Sequence, residues 1–448
     1  MYFQQFYLGC LAHASYLVGS EGIAAVVDPQ RDVEIYLEEA LKNNLRIAHV
    51  IETHLHADFV SGHRELAART GAEIYVGAKA RAQFAHHPVA QGDQINFGRC
   101  RLDFLETPGH TVESICVLLT DLDRSPEPFA VLTGDTLFIG DVGRPDLSPD
   151  HTPQQLAGLL YDSLHQKLLR LADGVEVYPA HGAGSLCGRQ ISAARSSTIG
   201  EQRITNYALR PSSREEFVQM LTAALPDRPA YFAQDAAINR TGATALADLP
   251  PVPRLDLGEA VRRQEAGAVL LDTRPDADFA AGHVPGAINI PLSGQFASWA
   301  GALIGLQSDL VLVASDAERV AESRMRLARV GIERVVGSLE AADGLAHERL
   351  PQISVRDLER LRRENAELQV ADVRRPGEWE DGHIQGAVLL PLNQASAMLA
   401  ELDRARPVAV HCKSGYRSAI ACSLLQRAGF RQVMNVTGGF DAWKAAFQ

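Results

Sequence analysis

Two groups of residues in the chain have types and spacings that do chemistry. Thr53-His54-Leu55-His56-Ala57-Asp58 follows an apolar run ending near Ile51, and His110 in TPGH and Asp135 in TGD each follow or end a later strand-like run. Imidazole and carboxylate converging from three loops suit a borderline divalent metal. A lone histidine at a strand end is more often structural, so the weight rests on the combination. His13, His49, His86, His87, His151 and His165 have no such context and read as structural or surface residues. The second group is Cys412-Lys413-Ser414-Gly415-Tyr416-Arg417, set between an apolar run and a helical pattern. There the backbone N–H groups and the helix N-terminus point at the cysteine sulfur, and Arg417 and Lys413 add positive charge that favours the nucleophilic thiolate. Cys422, on the following helix, reads as core.

The elements that must position these residues follow from periodicity. Ile23 to Val27, His49 to Ile51, Glu73 to Val76, Ser114 to Leu119, Ala130 to Leu132 and Val175 to Tyr178 read as strands, several ending in polar residues. From Val33, the spacing of Tyr36, Leu37, Ala40 and Leu41 predicts an amphipathic helix, with Asp32 as its N-cap. This mixture predicts a layered α/β domain with its site at polar strand ends. Further on, LDTRPDADFAAGHVPGAINIPL at 271–292 aligns with ADVRRPGEWEDGHIQGAVLLPL at 371–392 at a constant offset of 100 residues. A repeat of that length is a domain rather than a solenoid unit, so two copies are expected, over 254–346 and 351–448. In the second, the strand Val408 to Val410 runs into the cysteine loop, and the helix after it, with Ile420, Leu424, Leu425 and Ala428 on one face, stops at Gly429. Leu249-Pro250-Pro251-Val252-Pro253 is a stiff spacer that closes a first domain over 1–248.

At 448 residues, with 46% hydrophobic and 22% charged residues, the chain has the balance of a multidomain globular protein. Its net charge of −12 is opposite to what phosphate backbones and anionic lipid attract, which speaks against nucleic acid and membrane partners. No run approaches the roughly 20 apolar residues of a membrane span. The opening MYFQQFYLGCLAHASYLVG lacks a basic leading segment and reads as strands, not a signal peptide. Six cysteines without a compact framework fit a reducing compartment, so a cytoplasmic location is expected. Pattern alone does not distinguish an interface from a core, which leaves a homo-oligomer open.

Through THLHAD (53–58), TPGHT (107–111), TGD (133–135) and YPAHG (178–182), the first domain resembles the metallo-β-lactamase fold, which implies an αββα sandwich. Hydrolases of that superfamily usually carry a second-metal histidine directly after the Asp of the first motif, where this chain has Phe59. A phenyl ring cannot coordinate, so a single metal held by His54, His110 and Asp135 is the economical reading, with His56, Asp58 and His181 around it. Two imidazoles and a carboxylate with open positions suit mononuclear non-haem Fe(II). With GDVGRPDL (140–147), the pattern is similar to the persulfide dioxygenase branch, which implies oxidation of thiol persulfides by O2 to sulfite. Within that segment Arg144 and Asp146 read as a charged turn holding the loop. The second repeat resembles the rhodanese sulfurtransferase domain, a parallel-sheet α/β fold, over essentially its whole length, from DVR and GHIQGA through Cys412 to GGFDAW. Its C-x4-R loop is shorter than the C-x5-R loop of the related phosphatases, and the family implies a Cys412 persulfide intermediate. The first repeat has ValAlaSerAspAlaGluArgVal (313–320) in place of HCKSGYRS, so it resembles a pseudo-rhodanese with a structural role; His283 and His383 read as fold-holding. The domain order is similar to the fusion of persulfide dioxygenase, pseudo-rhodanese and rhodanese, which implies that sulfite accepts the Cys412 sulfur to give thiosulfate, in sulfide detoxification. The carrier thiol stays open among glutathione, coenzyme A, bacillithiol and mycothiol. Cys187, six residues after His181, is either a second sulfur relay or a buried thiol, and Arg203 and Arg210 are candidates for binding the anionic carrier. The alternative is a zinc-dependent, glyoxalase-II-like thioester hydrolase with a regulatory rhodanese tail.

Overall fold

The computed structural model describes residues 1–211, 213–223, 225, 227–341 and 348–447. The chain separates into two compact units, Met1–Leu249 with Ala328–Gly331, and Pro250–Leu327 with Ile332–Gln448.

In the first unit, β1 (Tyr2–Leu8), β2 (His13–Ser20), β3 (Ile23–Val27), β4 (Arg46–Glu52), β5 (Glu73–Gly77) and β6 (His87–Val89) form one sheet in sequence order. A second sheet runs β12 (Ser197–Thr198), β11 (Glu176–Pro179), β10 (Ala130–Gly134), β9 (Ile115–Asp121), β8 (Cys100–Glu106) and β7 (Gln94–Phe97). Side chains alternate across a strand, and here the alternation sorts residues between cores. Tyr16, Val18, Ala25, Val27, Ile115, Val117, Ala130 and Leu132 share one core that joins residues of both sheets. Leu17, Ala24 and Val26 turn the other way, onto Tyr36 and Ala40 of the helix Glu34–Lys42 and Leu66 of the helix His63–Thr70. Cys116 and Val131 likewise turn onto Ala157, Leu160 and Leu164 of the helix Pro153–Gln166. Two sheets face to face with helices on both outer faces make an αββα sandwich. The Pro153–Gln166 helix is started by Thr152, which accepts from the Gln155 N–H in a full capping box with Pro153 at the first position.

One local expectation fails. Asp32 does not cap the helix after it; that helix begins at Glu34 with no side-chain cap, and the Asp32 carboxylate accepts from the Gln30 amide at 2.9 Å. Side-chain donors nearer in space, the Gln30 amide and the Arg329 guanidinium, which forks onto Asp32 at 2.7 Å, outcompeted the free N–H groups.

In the second unit, β13 (Val269–Asp272), β14 (Ile288–Asn289), β15 (Leu310–Ala314) and β16 (Val335–Glu340) form a sheet in the order 14-13-15-16. β17 (Gln352–Ile353), β18 (Gln369–Asp372), β19 (Val388–Leu389), β20 (Val408–His411) and β21 (Val433–Val436) form another in the order 17-21-20-18-19. Every neighbouring pair in both is parallel. The registers superimpose the repeats: Asp272 faces Val313 as Asp372 faces His411, so Ala314 stands where the other copy has Cys412.

The GGFDAW segment closes over the cysteine loop, with the Phe440 and Asp441 N–H groups donating to the Cys412 and Lys413 carbonyls at 2.7 and 3.0 Å. Gly439 sits at φ +54°, where an added Cβ would run into both carbonyl oxygens. Gly439→Ala is therefore expected to cost about 1–3 kcal/mol and to lower the thermal transition of the second unit in the full chain; an unchanged transition would contradict this packing.

Candidate functional site

The metal-type residues all leave the sandwich at strand ends. His54 follows β4, His110 lies on the β8–β9 connection, Asp135 follows β10 and His181 follows β11. Gly134, at φ +50°, brings the end of β10 directly against the Thr53 side chain, where a Cβ would collide.

Hydrogen bonding sets the tautomers. Thr53 Oγ1 donates its one proton to Asp28 Oδ2 at 2.8 Å, so toward His54 Nδ1, 3.0 Å away, it must accept. His54 thus carries its proton on Nδ1 and its lone pair on Nε2. His110 Nδ1 donates to the Arg144 carbonyl at 2.9 Å, which frees Nε2 in the same way. Asp135 Oδ1 accepts from His181 Nδ1 at 2.7 Å, leaving Oδ2. His54 Nε2, His110 Nε2 and Asp135 Oδ2 are buried without a hydrogen-bond partner. One ligand atom from each lies within 4.8 Å of the others, with His110 Nε2 3.3 Å and His54 Nε2 3.8 Å from Asp135 Oδ2. Burial first, and the imidazoles of His56 and His110 after it, push His54 well below the ordinary histidine range, so the ring stays neutral with a lone pair able to coordinate. Unpaired buried polar atoms are costly, and a divalent cation satisfies all three at once; the donor set fits a metal.

The remaining sequence candidates sort themselves around this set. His181 Nε2 reaches Asp58 Oδ2 at 2.9 Å, so the ring bridges two carboxylates. Burial works against its charge, but Asp135 and Asp58 raise it well above the usual range. His56 turns its Nε2 to Asp28 Oδ1 and Glu52 Oε2, at 3.2 and 3.6 Å. Phe59 is fully buried with its ring 4.4 Å from that of His56. Cys187 joins Asp58 and His181 in a second buried donor group; burial, then the two carboxylates, push its thiol up. Arg144 forks onto Asp146 at 2.7 and 2.9 Å while its N–H takes the Cys187 carbonyl, so this turn ties the His110 loop to the Cys187 loop. Arg203 is spent on the Leu171 carbonyl, at 2.8 Å, and on Asp173, which clamps a helix end; Arg210 is exposed. Neither belongs to the donor groups.

Sequence reasoning missed three contributors. Asp28 and Asn239 hold the ligand loop: Asn239 Nδ2 donates to the His56 and Phe59 carbonyls, both at 2.7 Å, and its Oδ1 accepts from Ser61 N–H at 2.8 Å. His13, read from sequence as structural, is buried with its ring 4.1 Å from Phe59 and 5.6 Å from His181. It is brought there by antiparallel pairing with His181, a contact without a local signature.

In the second unit, Cys412 is buried at the end of β20, and its Sγ accepts from the Gly415 N–H at 3.1 Å and the Ser418 hydroxyl at 3.6 Å. The helix Tyr416–Arg427 starts at this loop, while Lys413 and Ser414 are exposed. The Tyr416 hydroxyl donates to Pro291 of the other repeat at 3.2 Å, and Asn289 N–H to Ser423 at 3.0 Å, so the cysteine-less copy braces the helix that carries the loop. Arg417 forks onto Glu378 instead of the sulfur. Cys422 is fully buried. His283 and His383 stack on Phe279 and Trp379 one turn away, at 3.7 and 3.9 Å.

Residues 8–181 match the family model of the metallo-beta-lactamase superfamily, and residues 256–341 and 354–446 that of the rhodanese-like domain. The mitochondrial persulfide dioxygenase ETHE1 of Bos taurus is 32% identical over 215 residues, 46% of this chain and 75% of its own. A hydroxyacylglutathione hydrolase of Methylobacillus flagellatus is 30% identical over 226 residues, 50% of this chain and 80% of its own. A crystal structure of a metallo-beta-lactamase from Staphylococcus aureus covers 76% of this chain and 99% of its own, at 32% identity and a TM-score of 0.69. The chain belongs to the metallo-β-lactamase superfamily, with rhodanese-like domains C-terminal to that domain.

Asp28 touches no ligand atom of the triad yet dictates the His54 tautomer through Thr53. Asp28→Asn is expected to weaken divalent-metal affinity about 10–100-fold, read by competition with a chromophoric chelator; wild-type affinity would refute the relay.

Proposed function

We propose that the chain processes thiol persulfides in two stages. Residues 1–248 oxidise a low-molecular-weight persulfide RSSH with O2 in an Fe(II)-dependent reaction, giving sulfite and RSH. Residues 351–448 pass a second sulfane sulfur through a Cys412 persulfide to sulfite, giving thiosulfate. The observation that carries this reading is the set of unpaired atoms His54 Nε2 and His110 Nε2, both fixed by tautomer, and Asp135 Oδ2. Two imidazoles and one carboxylate are the donor type of non-haem Fe(II) oxygenases, and Phe59 withdraws an imidazole from a second metal. Bound there, Fe(II) supplies a redox-active centre with positions left for small ligands. The chain's own residues do the rest. His181 orients Asp135 and holds a proton between it and Asp58, and the buried wall of Phe59, His13 and His56 keeps water out.

In the second stage the Cys412 thiolate takes the outer sulfur of RSSH, the S–S bond breaks and RSH leaves with the proton. Sulfite then attacks that sulfur, the Cys412 thiolate leaves and thiosulfate forms. In sum, two RSSH, one O2 and one water give two RSH, thiosulfate and two protons. The persulfide dioxygenase relatives support this reading, and six free cysteines support a reducing, cytoplasmic setting. The hydroxyacylglutathione hydrolase relatives support the rival, a zinc thioester hydrolase.

The deciding experiment is O2 uptake by the anaerobically iron-loaded protein with glutathione, coenzyme A, bacillithiol or mycothiol persulfide, with sulfite and thiosulfate quantified. Uptake with thiosulfate is expected; zinc content with thioester cleavage and no uptake overturns the reading. Cys412→Ser should leave sulfite production and suppress thiosulfate, whereas His110→Ala should abolish iron binding and uptake. Unchanged thiosulfate in Cys412→Ser would refute the division of labour. Cys187→Ser leaving both products unchanged would assign that thiol to packing.

A further inference from the structure

The cysteine loop offers an anion less positive charge than its sequence suggests. Arg417 Nη1 and Nη2 donate to Glu378 Oε2 and Oε1, both at 2.7 Å, the fork geometry of a strong pair. Glu378 is anchored from a second side, because its Oε2 also accepts from the Arg375 N–H at 3.0 Å, capping the short helix Pro376–Glu380. Burial works against the carboxylate, but Arg417 and then the Arg375 N–H hold it down at about 2, so it stays ionised near neutrality. Arg374 adds nothing, since it forks onto buried Asp372 and donates onward to the Glu378 and Gly382 carbonyls. Exposed Lys413 and the loop N–H groups are what an incoming anion meets.

The other repeat is an internal control. The strand registers place Arg319 where the second copy has Arg417, and the repeat offset places Asp278 at the position of Glu378. In that cysteine-less copy the arginine pairs with Glu322, in its own helix. The carboxylate at 278 is one methylene shorter and exposed. The clamp between loop and opposing segment accompanies the cysteine.

We propose that Glu378 sets the charge selectivity of the Cys412 site, occupying both Nη atoms of Arg417 so that the guanidinium is withheld from anionic reactants. Resting on the sulfur-transfer reading above, this makes the two anions of the transfer, sulfite arriving and thiosulfate leaving, weakly held, so that neither clogs the loop.

Glu378→Gln in the full chain tests this, because glutamine keeps an acceptor for Arg417 and for the Arg375 N–H while removing the charge. The primary readout is alkylation of Cys412, followed by peptide mass, with iodoacetate against iodoacetamide. In both reagents the thiolate sulfur bonds to carbon as the C–I bond breaks and iodide leaves, so the rate ratio reports reagent charge. Glu378→Gln should raise the iodoacetate-to-iodoacetamide ratio on the order of threefold or more at low salt, and the gain should shrink as salt screens it. Glu378→Asp, which keeps the charge, should stay near the wild-type ratio. A ratio unchanged in Glu378→Gln, or raised equally in Glu378→Asp, overturns the proposal. In thiosulfate formation, the variant's KM for sulfite should fall at constant kcat. A wild-type protein that transfers no sulfur would sink the transfer reading alone, since the alkylation ratio does not depend on it.

Discussion

A buried imidazole or carboxylate is tolerated only where something compensates its lost hydration, and the first unit packs His13, His54, His56, His110 and His181 against Asp28, Glu52, Asp58 and Asp135. Most of these groups are paired within the protein. Asp28 takes Thr53 twice, His56 sits between Asp28 and Glu52, and His181 joins Asp58 to Asp135. Once those pairings are made, His54, His110 and Asp135 each keep one unpaired atom directed at the others. Local order around this centre follows from that demand: the Arg144 turn, the Asn239 bonds and the close approach of Gly134 to Thr53 all hold a loop bearing a ligand.

The second unit solves a related problem with the backbone. A cysteine sulfur buried at a strand end has no water to bond, and it takes its donors from the Gly415 N–H and the Ser418 hydroxyl. The loop's Arg417 guanidinium is paired with Glu378. The first repeat has the same fold without the cysteine, and its loop at 289–291 braces the helix behind the cysteine loop of the second.

How much of this was legible beforehand depended on the range of the interaction. A layered α/β domain, the strand positions and a duplicated domain were readable because they rest on periodicity and on a repeat of whole motifs, whereas the αββα order and the parallel sheets were implied by the resemblance of those motifs to known families. Asp32 shows the limit: a residue of the right type at the right spacing still did not cap its helix, since capping competes with any acceptor or donor that folding brings near. Arg203, chosen for its charge, proved to be a helix clamp, because charge states what a side chain can bind and not what lies beside it.

By itself the sequence determined the residue types at each strand end, and with them the donor set, the cysteine loop and the absence of that cysteine from the first repeat, since these are properties of covalent order. Only the tertiary structure decided which nitrogen of His54 is free, that His13 lies beside His181, that Asn239 holds the ligand loop from 178 residues beyond Ser61, and that Arg417 is held by Glu378. Each of these depends on pairing between distant segments. A hydrogen bond is settled by where two atoms end up in space, which no local pattern encodes.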